Sequence, residues 1–221
     1  MNSSLIKFIL ESINKSSRFL YRDYFELEMQ QSSKIINQDF VKRSYDKCQE
    51  RLKENLSQYT SSLKFEVIPI DGKENFSHAI PFFGIVVVAY KDSNADIPDA
   101  AVIDFPVLGE TYFVEKGDSA WTLNHNNEMH NASRRLKTSK RQEDILLITD
   151  SDNPSKLKNR NFGCAAYSIC MVAAGKADAA ILSNTNQTMV KAAKLFISEA
   201  GGKIISDKPL ILTSSCCKLP E

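Results

Sequence analysis

The sequence predicts a mixed chain in two parts: helices with an antiparallel sheet (α+β) over residues 1–138, and an α/β part over 139–221. Three observations predict it. No proline or glycine occurs before Pro69, and apolar residues in that region recur at helical spacing. From Phe65 the period changes to that of strands, broken by short turn-rich spacers. From Ile145 strands and helices alternate.

Leu5, Phe8, Ile9, Ile13 and Leu20 fall three to four residues apart, the spacing of one helix face. The opening stretch is therefore expected to be a first helix and not a secretory leader. A second helix is predicted from about Phe40 to Leu56, with Val41, Cys48, Leu52 and Leu56 on its apolar side. "LKFEVIPI" then reads as a strand running into an Asp71-Gly72 turn. "FFGIVVVAY", "AAVIDF" and "ETYFVEKG" come next as strands, and their short spacers favour antiparallel pairing. The polar segment "NNEMHNASRRLKTSKRQED" reads as an exposed connection. Beyond it come a strand "ILLITDS", a helix within "GCAAYSICMVAAGKAD", a strand "AAIL", a helix from Met189 to Ala200, and a strand "KIIS". Gly201-Gly202 suits the end of that second helix.

Lys and Arg total 28 against 27 Asp and Glu, a formal net charge of +1. So even a balance gives no general attraction to nucleic acid or to an anionic membrane. The longest apolar run, "IPFFGIVVVAY", is too short to cross a bilayer and reads as a buried strand. Five cysteines, Cys48, Cys164, Cys170, Cys216 and Cys217, show no metal-ligand spacing. They are expected to be reduced thiols in a reducing compartment, the cytoplasm.

"VIPIDGKENF", residues 67–76, carries the functional signal. A strand enters a tight Asp-Gly turn and a helix starts just beyond. The longer stretch "IPIDGKENFSHAIPFFGIVVV" resembles the signature of the inositol monophosphatase family, an Asp-Pro-(Ile/Leu)-Asp-Gly-Thr motif leading to Asn-Phe and a His-Gly-(Phe/Ile)-Pro turn. Pro69, Ile70, Asp71, Gly72, Asn75, Phe76, His78 and Pro81 match in place. "GETYFVEKGDSAWTLN", "RNFGCAAYSICMVAAGKADA" and "SEAGGKI" are similar to later family segments, in the same order. The N-terminal "RFLYRDYFELE" and "QDFVKRSYDK" look like the bacterial extragenic suppressor branch. The resemblance covers nearly the whole chain. It implies a two-part αβαβα layered sandwich of the sugar phosphatase type, shortened here at the C-terminus, and a homodimer. It further implies contact with the transcription and RNA-processing machinery.

The family hydrolyses phosphomonoesters with Mg²⁺, a hard cation that prefers an octahedral shell of oxygens. The resemblance places its ligands at four points. A Gly-Glu-Glu segment falls on "NLSQYTSSLKF", which holds no acid. The first Asp of the signature is Ile68. The second is kept as Asp71, beside the backbone carbonyl of Ile70, and the family's threonine after the Asp-Gly pair is Lys73. The Asp of a later Trp-Asp motif is Met189, after Thr188, and a thioether suits a hard cation poorly. A substrate-contacting Glu falls at Leu182, and an N-terminal Asp near Tyr45, next to Asp46.

The sequence therefore predicts a phosphatase fold that has lost metal-dependent catalysis, carries no cofactor, and serves as a dimeric scaffold or regulatory binding protein. Asp71 alone survives as a side-chain ligand. By the ordinary logic of Asp before Gly it holds the turn or caps the next helix. Gly72 and Lys73 at the helix start are candidates for binding a phosphate-bearing small molecule, with Glu74 opposing. The rival expectation is an active Mg²⁺-dependent phosphomonoesterase using Glu66, Glu74 or Asp46 in place of the lost ligands. His78, His125 and His130 form no recognisable Ser/His/Asp arrangement. His78 and Trp121 read as structural, and Cys164 as a small buried residue.

Overall fold

The computed structural model describes residues 3–29, 38–60, 62–92, 95–125, 133–151 and 157–217. His130 lies outside them. Helix α1 (Ser4–Met29) buries Leu5, Ile9, Ile13 and Leu20 along the face that the spacing predicts. Helix α2 (Gln38–Leu56) buries Cys48, Leu52 and Leu56, with Val41 packed at the margin. Both helices lie on one face of a six-stranded antiparallel sheet. Its strands run in sequence order: β1 (Lys64–Asp71), β2 (Gly84–Tyr90), β3 (Ala100–Phe105), β4 (Glu110–Glu115), β5 (Ala120–Asn124) and β6 (Arg134–Arg135). A five-residue helix, α3 (Lys73–Ser77), interrupts the path from β1 to β2.

The second sheet has strand order β10-β11-β9-β7-β8, with β7 (Leu146–Thr149), β8 (Lys158–Arg160), β9 (Ala179–Leu182), β10 (Lys203–Asp207) and β11 (Leu210–Thr213). β7 pairs in parallel with β9 across α4, in keeping with the α/β alternation, and also with β8, which the sequence pattern did not show. β10 and β11 form an antiparallel hairpin, and β11 inserts beside β9. Helices α4 (Ala165–Ala173) and α5 (Gln187–Glu199) lie between the two sheets. α5 starts two residues before its predicted Met189, because Asn186 caps it: its Oδ1 accepts the Met189 N–H at 2.9 Å. Gly201, with φ 82°, ends it where the sequence predicts.

Two apolar cores result. Ile85, Val87 and Ala89 of β2 face α1 and α2, whereas Val86, Val88 and Tyr90 face α4 and α5. Both faces of β2 are covered, which is why its sequence is a continuous apolar run instead of an alternating one. The layers run helix pair, sheet, helix pair, sheet, the first four of the αβαβα order. The Glu199 carboxylate ties the layers together by accepting the N–H groups of Gly117 (2.7 Å) and Ser119 (3.1 Å) in the turn between β4 and β5.

Candidate functional site

The site lies where β1 ends, beside the start of α4 and the carboxyl ends of β7 and β9. Gly72 makes the turn possible. It adopts φ 76°, and a Cβ there would sit 2.6 Å from the Phe82 carbonyl oxygen and 3.2 Å from Cys164 Cβ. Only glycine meets both demands without strain. Asn75 then pins three segments together. Its Nδ2 donates to the carbonyls of Phe82 and Phe162, both at 2.7 Å. Gly163, at φ 63°, packs directly on the Asn75 amide.

Asp71 does not cap its own helix, contrary to the expectation for Asp before Gly. Gly72 is the residue at the N-terminus of α3, and no side chain caps it. The Asp71 carboxylate reaches the N-terminus of α4 instead. Oδ2 accepts the Ala166 N–H at 2.8 Å and the Cys164 S–H at 3.0 Å. A helix N-terminus presents unpaired N–H groups and the positive end of the dipole, so a carboxylate there fills the place of an external anion. Burial nevertheless raises the Asp71 pKa, against hydrogen bonds from Ala166, Cys164, Ala165 and Gly72 that lower it. The Cys164 thiol is pushed well above its usual range by burial and by the adjacent carboxylate. It is a hydrogen-bond donor, not a nucleophile.

A pocket of about 330 Å³ opens beside Asp71, and Glu74, Asp150, Asn161, Asn184 and Leu182 are among its walls. Sequence reasoning missed Asp150. It comes directly after β7, and the carboxyl ends of parallel strands are where α/β sheets place sites. Both of its oxygens are engaged: Oδ1 accepts Ser183 N–H at 2.8 Å, and Oδ2 accepts Ser183 and Asn184 N–H at 2.9 and 3.1 Å. No lysine, arginine or histidine lines this pocket among the described residues.

Lys73 turns the other way. Its Nζ sits 3.6 Å from the centre of the Tyr45 ring on α2, in a separate cleft of about 570 Å³ between α2 and α3 that Asp46 and His78 also line. His78 Nδ1 lies 2.9 Å from the Glu74 carbonyl and 3.0 Å from Ser77 Oγ, closing the end of α3. Trp121 Nε1 donates to the Asp118 carbonyl at 2.8 Å.

Ile68, Leu182 and Met189 all belong to the apolar core between the sheets, as do Cys164, Ala166 and Val190, and Leu182 also lines the Asp71 pocket. Leu182 and Met189 are 2% and 1% exposed. Glu66 is engaged by α5: Thr188 Oγ1 donates to it at 2.7 Å and Lys191 stands 3.6 Å away. Among the described residues no three His, Cys, Asp or Glu side chains gather to hold a metal ion.

A second buried carboxylate also escaped sequence reasoning. Asp104, 4% exposed on β3, accepts hydrogen bonds from Ser17 of α1 and, at 2.6 Å, from Thr111 Oγ1. Burial raises its pKa. A lone acid inside the apolar strand "AAVIDF" was the available signal. No helix of the described residues is long and apolar enough to cross a membrane.

Known proteins share this architecture. Residues 30–209 match the model of the inositol monophosphatase family. The inositol-1-monophosphatase of Caulobacter vibrioides is 29% identical over 232 aligned positions, covering 89% of this chain and 87% of its own. The crystal structure of extragenic suppressor protein suhB from Bartonella henselae superposes with a TM-score of 0.79 at 24% identity, covering 98% of this chain and 95% of its own. Mycobacterium tuberculosis SuhB gives a TM-score of 0.74 at 20% identity, over 91% and 86% of the two chains.

Proposed function

This chain belongs to the inositol monophosphatase family, and from that premise we propose that it is a pseudophosphatase: a homodimeric scaffold or regulatory binding protein of the cytoplasm that retains the fold without metal-dependent hydrolysis. The observation that carries the reading is the use made of Asp71. Its Oδ2 is held by the Ala166 N–H and the Cys164 S–H, and burial raises its pKa, which favours the neutral acid.

The donor set around it does not fit Mg²⁺, which needs a shell of available oxygens. Asp150 has both oxygens on backbone N–H groups. The neighbouring positions Ile68, Leu182 and Met189 are hydrocarbon and thioether. Of the three acids proposed as replacements only Glu74 shares the pocket with Asp71: Glu66 is paired with Thr188 and Lys191, and Asp46 lines the other cleft.

A phosphate at Gly72 and Lys73 is the weaker reading of the pocket. Lys73 points to Tyr45, and the Glu74 and Asp150 carboxylates would both repel an anion. A neutral or cationic polar ligand suits these walls better. Contact with the transcription and RNA-processing machinery is the protein partnership that the extragenic suppressor resemblance brings.

The test is a calorimetric Mg²⁺ titration paired with an inositol phosphate hydrolysis assay. The expected result is no saturable heat and no turnover. Saturable Mg²⁺ binding with turnover that Asp71→Asn abolishes would sink the proposal in favour of an active phosphomonoesterase.

A further inference from the structure

We propose that the cavity between α1 and the β3–β4 turn binds a small free amino acid, whose ammonium group meets the buried Asp104 carboxylate while its carboxylate meets Arg18. The inference is independent of the pseudophosphatase reading, because this cavity and the Asp71 pocket share no residue.

Asp104 is a costly residue for its place. Every other residue of β3 is apolar and buried. The groups that donate to Asp104, the Ser17 hydroxyl and Thr111 Oγ1 at 2.6 Å, are neutral. Thr111 gives its proton to Asp104, so the Thr111 oxygen accepts from His125 Nε2–H at 2.9 Å, and the imidazole reaches the carboxylate only through that hydroxyl. No lysine or arginine among the described residues pairs with Asp104. Burial raises its pKa, the mark of a carboxyl held without a full counter-charge. Joining α1 to the sheet needs only a neutral polar group. The carboxylate keeps a second lone pair on each oxygen and an electrostatic demand that the chain does not meet.

Asp104 borders a cavity of about 260 Å³. That is small for a drug-sized ligand and roomy enough for a single amino acid. Asn14 and Arg18, one turn apart on α1, form its outer wall, and Tyr21, Phe105 and Pro106 give it apolar surface. Arg18 is exposed and enters no ion pair with the described residues. A guanidinium takes a carboxylate in a two-pronged hydrogen bond, and the Asn14 amide stands beside it. The cavity therefore has a buried negative end and an exposed positive rim. A lone anion is opposed by Asp104, and a lone cation by Arg18. A molecule carrying both charges answers both ends, and the small volume restricts it to charges a few atoms apart.

The test is calorimetric titration of the full chain with L-alanine, L-serine and L-valine. The controls are L-alaninamide, which lacks the carboxylate, and propionate, which lacks the ammonium group. The expected result is saturable binding of at least one of the three amino acids, with both controls weaker by about tenfold or more. Arg18→Ala, at an exposed helix position, and Asp104→Asn, nearly the same shape as the native residue, are each expected to weaken that binding by about tenfold or more. Should Asp104→Asn not fold, Arg18→Ala decides alone. No saturable heat from any of the three up to about 10 mM, equal binding of L-alaninamide, or binding undiminished in Arg18→Ala overturns the inference and leaves Asp104 as a tie between α1 and the sheet.

Discussion

Removing the Asn75 side-chain amide should cost more stability than any other single polar deletion at the site. Asn75 is 9% exposed, and its Nδ2 bridges the Phe82 and Phe162 carbonyls at 2.7 Å each. Asn75→Ala deletes two short hydrogen bonds, each contributing about 1 kcal/mol net. It also leaves two carbonyls to be satisfied by whatever water enters the small gap, at a further cost of about 1–2 kcal/mol. The expected loss is about 3 kcal/mol, with a lower urea midpoint and an unchanged denaturant slope. Asn75→Asp is the sharper variant. It is nearly the same shape, but it sets an anion against two carbonyl oxygens and should cost at least as much at neutral pH, with partial recovery in acid as the new carboxyl is protonated. Urea unfolding monitored by tryptophan fluorescence, reporting through the single Trp121, measures both. A loss below about 0.5 kcal/mol for Asn75→Ala would refute the idea that this amide holds the site together.

Gly72→Ala should destabilise by about 2–4 kcal/mol, since a Cβ at φ 76° meets the Phe82 carbonyl at 2.6 Å; a melt within about 1 °C of the native chain would contradict this. Burial raises the Asp71 pKa above its ordinary 3.8, so between the ordinary and the raised value the native state binds a proton there that the unfolded chain has lost. Its contribution to stability is therefore fullest below that ordinary value and declines as pH rises toward the folded-state pKa. Asp71→Asn, which cannot titrate, should gain on the native chain across that window in urea titrations between about pH 4 and 7; a constant difference would refute the assignment. Met189→Asp restores an acid where the family resemblance implies a ligand, but at a position 1% exposed in an apolar core. It should destabilise by about 3 kcal/mol or more, and excess Mg²⁺ should not reverse the loss; recovery with Mg²⁺ would revive the metal site.

The elements legible in the sequence were those whose pattern comes from burial. The faces of α1 and α2, the β1–β4 meander and the parallel pairing of β7 and β9 follow from spacing alone. β5, β6, β8 and β11 escaped because they are short and their residues, such as the polar triplet of β8, carry no strand period. At the site, the turn at Asp71-Gly72 and the role of Asn75 as part of one motif were visible. That Asp71 serves α4 and not α3 was not, because its partner lies more than ninety positions away. Asp150 was hidden for the same reason, as its Ser183 and Asn184 partners lie just past the end of β9, more than thirty positions away.

The five cysteines are free, and their placement divides them by depth. Cys216 and Cys217 are part-exposed, whereas Cys48 sits in the core under α1 and α2, and Cys164 and Cys170 in the core between the sheets. Burial pushes the Cys48 thiol up to about 12, so it stays protonated and inert while the fold is closed. A thiol-alkylating reagent therefore reads this molecule like a clock with two hands. Labelling of Cys48 times the opening of the outer helix layer, and labelling of Cys164 and Cys170 times the parting of the inner one. If the Glu199 tie makes the layers one cooperative unit, both hands will move together.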